Sequence, residues 1–330
     1  MTTLDRASGN VLPHVYSYLQ LTTLDRASGS NLTLCSSRDT LRRGIEQLLR
    51  YGILFVEGVP HEETADERCE MGRLAGLFGL VRETFYGRFW DVVSRGESSR
   101  NIAYTNLLLG IHMDLAYCEN PPRYQVLHML RNDVIGGESL FSDGLEGAYR
   151  LGEMDREGFD VLCERTVAFH YLNENHHLYR EHPTIQLASS SVIPSFSSSA
   201  MDRPTSLPEV AYINYSPPFQ APLPLTTASD PRFLPALRKF TRFLHSPHQL
   251  FERALTPGTA VIFDNRRVLH GRRGFRNVIT GDDGVRGEGK DGDGVRRWLK
   301  GCYLEGDVLL DRLRVIRDGR LPTDERGYVT

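Results

Sequence analysis

Apolar positions along the chain fall into short blocks whose period keeps changing. Leu41, Ile45, Leu48 and Leu49 recur at helical spacing and stop at Gly52, which predicts a helix beginning near Asp39. ILFVEG (53–58) follows as an unbroken apolar run, the mark of a buried strand. Thr64 and Glu67 have capping-box spacing ahead of a helix carrying Met71, Leu74, Leu77 and Phe78. Strand patterns cover 124–130, 138–143, 167–172, 184–188, 209–216 and 296–304. Asp230-Pro231 opens a helix with Phe233, Leu234, Leu237, Phe240 and Leu244. LFERAL (250–255) and TAVIFD (259–264), joined by Thr-Pro-Gly, predict a hairpin, and a last helix runs through Leu310, Leu313 and Ile316. Many short strands, scattered helices and no βαβ alternation predict a mainly β fold with α: a jelly roll decorated by helices.

Two stretches interrupt this pattern. Residues 189–208 are rich in Ser and Pro, and 280–294 (TGDDGVRGEGKDGDG) combine Gly with charge, which predicts a mobile insertion. TTLDRASG occurs at 2–9 and again at 22–29, a local duplication rather than a solenoid. Residues 1–36 are therefore expected to form an undetermined arm, and 37–330 a single domain.

Composition narrows the class. The 330 residues are 40% hydrophobic and 25% charged, ordinary for a soluble globular protein. No run approaches the roughly 20 apolar residues of a membrane span. A formal charge of −3 argues against nucleic acid as a partner. The five cysteines, 35, 69, 118, 163 and 302, form no CxxC pair, so neither a disulfide framework nor a structural zinc site is expected. The N-terminus lacks a secretory pattern, which makes cytoplasm the expected compartment. A homodimer stays open.

The candidate chemistry begins at IHMDLAY (111–117). On an extended segment, His112 and Asp114 point to one face. A third ligand is offered by GTAVIFDNRRVLHGRRGF (258–275), a strand-like run reaching His270. Two histidines and one carboxylate make the facial triad of non-haem iron(II) oxygenases, with open positions for a chelating 2-oxo acid and O2. A catalytic zinc also accepts such a set, so a zinc hydrolase remains an alternative.

These segments resemble the gamma-butyrobetaine and trimethyllysine dioxygenase branch of the taurine-dioxygenase-like superfamily. The likeness is carried by FYGRFW (85–90), NIAYTN (101–106), HMDLAYCENPPRYQVLHML (112–130), GGESLFSDG (136–144), FDNRRVLHGRRGF (263–275) and LKGCYLEGDVLLDRLRVIRD (299–318). It implies a double-stranded β-helix and an Fe(II)-dependent dioxygenase. Such an enzyme consumes 2-oxoglutarate and O2, with ascorbate able to sustain activity. The substrate is a small gamma-butyrobetaine-like amine or amino-acid derivative. The resemblance further implies that Arg297 holds the distal carboxylate of 2-oxoglutarate and that Leu127 lines the co-substrate. Strand alternation favours Arg297 over Arg296, because Arg297, Leu299, Gly301 and Tyr303 then share a face. Arg272 and Arg273 are read as structural.

Tyr86, Trp90, Tyr104 and Tyr303 match the family's aromatic cage, whose ring faces hold a trimethylammonium group. Asn101 matches a residue near the substrate carboxylate. Ser216 stands where a second carboxylate-binding asparagine is expected, and Met113 replaces a small polar residue between the ligands. These departures motivate a second reading, oxidation of a small amino acid in a secondary-metabolite pathway. A third is a catalytically inactive cation-binding jelly roll. The related enzymes also make the mitochondrion an admissible compartment.

Overall fold

The computed structural model describes residues 3–5, 10–12, 14–22, 32–94, 102–173, 175–189, 207–277 and 295–318. The expected insertion at 280–294 and most of both TTLDRASG copies lie outside the described residues, as does Asn101.

Two sheets face each other. The larger has the order Val15–Ser17, Ile53–Glu57, Ala260–Asp264, Tyr124–Asn132 and Arg297–Leu304; Val81–Arg82 and Trp90–Val93 both lie along the outer side of the last strand. All its pairs are antiparallel except Val15–Ser17 with Ile53–Glu57. The smaller has the order Phe251–Arg253, Ser139–Asp143, Val268–Arg272 and Leu109–His112. Alternation of side chains across each strand sorts the apolar residues. Phe55, Met129, Val261, Phe263 and Leu299 point between the sheets, where they meet Phe141 and Val268. Leu54, Val56, Val126, Ala260, Ile262, Cys302 and Leu304 point outward, under helices Leu32–Tyr51, Glu70–Phe78 and Gly306–Arg317. Helices Gly144–Met154, Arg156–Glu164 and Phe233–Leu244 cover the far face of the smaller sheet through Ile111, Leu140 and Leu269. Both faces of both sheets are thus buried, which explains runs such as AVIFD that show no polar alternation. This is the helix-decorated jelly roll expected from the strand pattern.

Four local differences have physical reasons. Part of the stretch expected as an arm is integrated, since Tyr16, Tyr18 and Leu21 are buried in the helix-covered core. The helix expected near Asp39 begins at Leu32. The 64–67 box caps nothing; it lies in a separate turn closed by Cys69 N–H to Ala65 O (2.8 Å), and the helix starts at Glu70 with no side-chain cap. Phe251–Arg253 and Ala260–Asp264 are not a hairpin. The first joins the smaller sheet and the second the larger, and Gly258, at φ 81°, turns the chain between them. Among the described residues, no helix is long and apolar enough to cross a membrane.

Candidate metal centre and substrate pocket

Pairing in the smaller sheet sets His270 directly opposite His112. Their ring centroids lie 4.5 Å apart. Asp114 follows two residues after His112, just past the strand end, and the ligand atoms of the three residues lie within 4.8 Å of one another. His112 Nε2 is 3.3 Å and His270 Nε2 3.9 Å from Asp114 Oδ1. His112 Nδ1 lies 2.9 Å from the Gly110 carbonyl. That contact fixes the proton on Nδ1 and leaves the Nε2 lone pair facing a carboxylate oxygen. Two lone pairs at this separation repel unless a cation lies between them, so the donor set fits a divalent metal. Burial, with His112 adding to it, pushes His270 down to about 3, so its imidazole is neutral and ligand-ready. Burial alone would raise Asp114. The contacts of its carboxylate with His112, His270 and the Tyr303 hydroxyl outweigh burial and hold Asp114 well below the usual carboxylate range.

The ligand segment is fastened from behind. Asn265, fully buried, accepts from Asp114 N–H at 2.8 Å and donates to the carbonyls of Asp114 and Pro122, both at 3.0 Å. Met113 N–H donates to Tyr215 O at 2.8 Å, and Ser216 Oγ donates to Met113 O at 2.9 Å. Asp114 Oδ2 accepts from Gln125 Nε2 at 2.8 Å and from the Tyr303 hydroxyl at 2.9 Å.

A pocket opens beside the triad. Tyr86, Trp90, Tyr104 and Tyr303 line it together with His112 and Asp114, so the structure brings the four expected aromatics into one wall. Trp90 and Tyr303 have ring centroids 5.3 Å apart, and Tyr86 and Trp90 6.5 Å. Sequence reading missed Tyr117 and Phe219, which are the other aromatic residues in the lining, and Tyr171, which lies 5.1 Å from Tyr117. They sit on a turn, a 3-10 turn and a hairpin strand, where no periodicity distinguishes a pocket wall from core. It also missed Gln125 and Asn265. Gln125 was marked only by being polar on the inward face that it shares with Leu127 and Met129.

Other expected residues fall in different places. Ser216 is buried behind the ligand segment, its hydroxyl committed to Met113, and is not among the lining residues. Leu127 lies on the inner face of the larger sheet, packed against the core between the sheets and paired with Gly301 and Val261. Arg297 is 4% exposed, and its Nε has no partner among the described residues. Among the described residues, its side chain makes a 3.5 Å hydrogen bond to Gly137 O and lies 5.7 Å from the centre of the Phe275 ring. Burial, with Arg272 adding to it, lowers it to about 9, still protonated at neutral pH. A buried guanidinium with no acidic partner among the described residues fits a site for a ligand carboxylate. Arg272 donates to Thr105 O (2.8 Å) and Leu107 O (2.7 Å), tying down the loop that carries Tyr104, while Arg273 pairs with Glu252 at the surface.

Comparison with known proteins agrees with this fold. The fold matches that of the non-heme iron oxygenase OrfP, solved with Fe and alpha-ketoglutaric acid, at a TM-score of 0.57, with 16% identity over 90% of this chain and 95% of that one. In sequence, the chain is 45% identical to dioxygenase str8 of Strobilurus tenacellus, over 85% of this chain and 60% of that protein. It is 31% identical to gamma-butyrobetaine dioxygenase of Pseudomonas sp. (strain AK-1), over 84% of this chain and 63% of that protein. The chain thus spans about 60% of the length of these relatives. The family model for taurine catabolism dioxygenases matches residues 17–303, and the chain belongs to the TauD, TfdA family.

Proposed function

We propose that the chain is an Fe(II)- and 2-oxoglutarate-dependent dioxygenase that hydroxylates a small amine or amino-acid-derived molecule, releasing succinate and CO2. One observation carries the reading: His112, Asp114 and His270 converge beside a pocket walled by six aromatic rings. His112, Asp114 and His270 would hold the metal, and Arg297 the far carboxylate of 2-oxoglutarate. Together, bound Fe(II) and 2-oxoglutarate supply the power to activate O2 toward an unreactive C–H bond. The protein's own contribution is placement. Asn265 and Ser216 fix the ligand segment, and neutral His270 offers a lone pair without first losing a proton. The faces of Tyr86, Trp90, Tyr104 and Tyr303 suit a cationic ammonium, each contact contributing about 0.5–2 kcal/mol. The apolar wall also keeps water from the reacting carbon. Likeness to a gamma-butyrobetaine dioxygenase supports a substrate of that kind.

A second reading keeps the chemistry and changes the substrate to a small amino acid or related intermediate of a secondary pathway. It is motivated by Ser216, whose hydroxyl is committed to Met113, so the carboxylate contact that the gamma-butyrobetaine resemblance implies at this position is not offered. The test is succinate release with Fe(II), ascorbate and 2-oxoglutarate, offering gamma-butyrobetaine, trimethyllysine and a panel of amino acids. Stimulation by the quaternary amines supports the first reading, and stimulation by the amino acids alone supports the second. Absence of 2-oxoglutarate turnover in every case would leave the cation-binding jelly roll.

A further inference from the structure

The two oxygens of Asp114 have different surroundings. Oδ1 faces the two imidazoles, at 3.3 Å from His112 Nε2 and 3.9 Å from His270 Nε2. Oδ2 faces the other way and accepts two hydrogen bonds, from Gln125 Nε2 and the Tyr303 hydroxyl. The donors are neighbours, because Gln125 and Tyr303 are register partners on adjacent strands of the larger sheet. They are 1% and 2% exposed, so water does not compete for the carboxylate. Turning the Gln125 amide over would set its oxygen against Oδ2, so the donor orientation is the stable one. The backbone of Asp114 is itself pinned by Asn265, which leaves side-chain rotation as the carboxylate's remaining freedom.

We propose that Gln125 and Tyr303 are positioning residues that confine Asp114 to one metal-binding oxygen. The inference rests on the dioxygenase reading above. A carboxylate oxygen that accepts two hydrogen bonds has both lone-pair directions occupied, and turning it toward a metal would break both bonds. The consequence is a count of coordination positions. A facial triad binding through one oxygen leaves three positions open, two for the 2-oxo acid and one for O2. A carboxylate clasping through both oxygens would take one of these. Tyr303 carries a second consequence, since its ring also stands against Trp90 in the pocket wall. Any displacement of that ring by a bound molecule acts directly on Oδ2, so the substrate wall and the metal ligand share one side chain.

The test uses two near-isosteric variants, Gln125→Met and Tyr303→Phe, and their double variant. Each is checked for folding by near-UV circular dichroism and thermal melting. Co(II) binding is measured by calorimetry, and 2-oxoglutarate binding to the Co(II)-loaded protein by the change in d–d absorption, with no turnover involved. Each single variant should lose about 10- to 100-fold in Co(II) affinity, the usual effect of removing an outer partner from a metal ligand. Alternatively it keeps the metal and loses 2-oxoglutarate, as expected if Asp114 turns to bind through both oxygens. Either result supports the proposal, and the double variant should exceed each single one. A folded double variant with wild-type affinity for both Co(II) and 2-oxoglutarate would overturn it. Failure of the wild-type protein to bind Co(II) would instead sink the dioxygenase reading and this inference with it.

Discussion

Replacing Gly301 by alanine should damage the substrate pocket and spare the metal site. Gly301 pairs with Trp90 across two strands of the larger sheet, and the indole lies over the space where a side chain would be. A Cβ added at 301 would stand 2.3 Å from Trp90 Cη2, 2.4 Å from Cζ2 and 2.6 Å from Cζ3. Carbon atoms settle at about 3.5–4.0 Å, so the ring must retreat by more than about 1 Å. Its Nε1 has no partner among the described residues, so that atom does not resist the movement. Strand propensity argues the other way, since glycine in a strand interior is normally improved by alanine. Overpacking decides the sign here and should cost about 1–3 kcal/mol of stability. The larger effect should be on catalysis, where a misplacement of about 1 Å costs on the order of 10²-fold. The assay compares substrate-stimulated succinate release with Co(II) affinity. Gly301→Ala should lose kcat/KM for the organic substrate while binding Co(II) like the wild type, and the fluorescence of Trp90 should change. A folded variant with wild-type kcat/KM would refute the claim that Trp90 forms the working wall.

Three other outcomes test separate parts of the structure. Arg297→Met should weaken 2-oxoglutarate binding by about 10- to 100-fold, the loss of one or more charge-assisted hydrogen bonds, without changing Co(II) affinity. Unaltered 2-oxoglutarate affinity would transfer the carboxylate to Arg272, which shares the Phe275 ring with Arg297. Burial lowers His128 to about 4 from an ordinary 6.5, with the Val59 backbone opposing only in part. The folded state therefore holds His128 neutral. Its contribution is intact above pH 6.5 and is lost as pH falls toward 4, by about 3 kcal/mol in all. Urea unfolding at pH 7 and pH 5 should show this acid sensitivity shrinking in His128→Leu; an unchanged pH slope would count against it. Asp143 accepts the Arg267 guanidinium at 2.6 Å and also caps helix Gly144–Met154 through Leu145 N–H. Asp143→Ala should cost about 3 kcal/mol by calorimetric melting, and a loss under about 1 kcal/mol would mean that Arg267 finds another partner.

What the sequence reveals here depends on where a residue's partner comes from. Arg297, Leu299, Gly301 and Tyr303 were readable as one face because strand alternation is local, and all four do turn to the inner side: Leu299 into the core, Gly301 under Trp90, Tyr303 onto Asp114, and Arg297 into a buried site without an acidic partner among the described residues. His112, Asp114 and His270 were readable for a different reason. Their residue types have few uses together, and a long separation in sequence costs nothing once two strand ends pair. The pocket wall was harder. A buried tyrosine in a core and one lining a cavity are both buried aromatics, and only the neighbours differ, so Tyr117, Tyr171 and Phe219 gave no local signal. Strand His176–Pro183 was invisible because most of its side chains are exposed and polar, leaving no apolar period. The supposed 250–264 hairpin failed for the same physical reason in reverse. Two apolar runs joined by Pro-Gly fit a turn within one sheet and a crossing between two sheets equally well, and the choice is made by Ser139–Asp143 and Tyr124–Asn132, partners more than 100 residues away. Ser216 shows how this bears on function. Its position in the chain suggested a substrate contact, but it is buried with its hydroxyl bonded to the Met113 carbonyl, so it supports the segment between His112 and Asp114 instead.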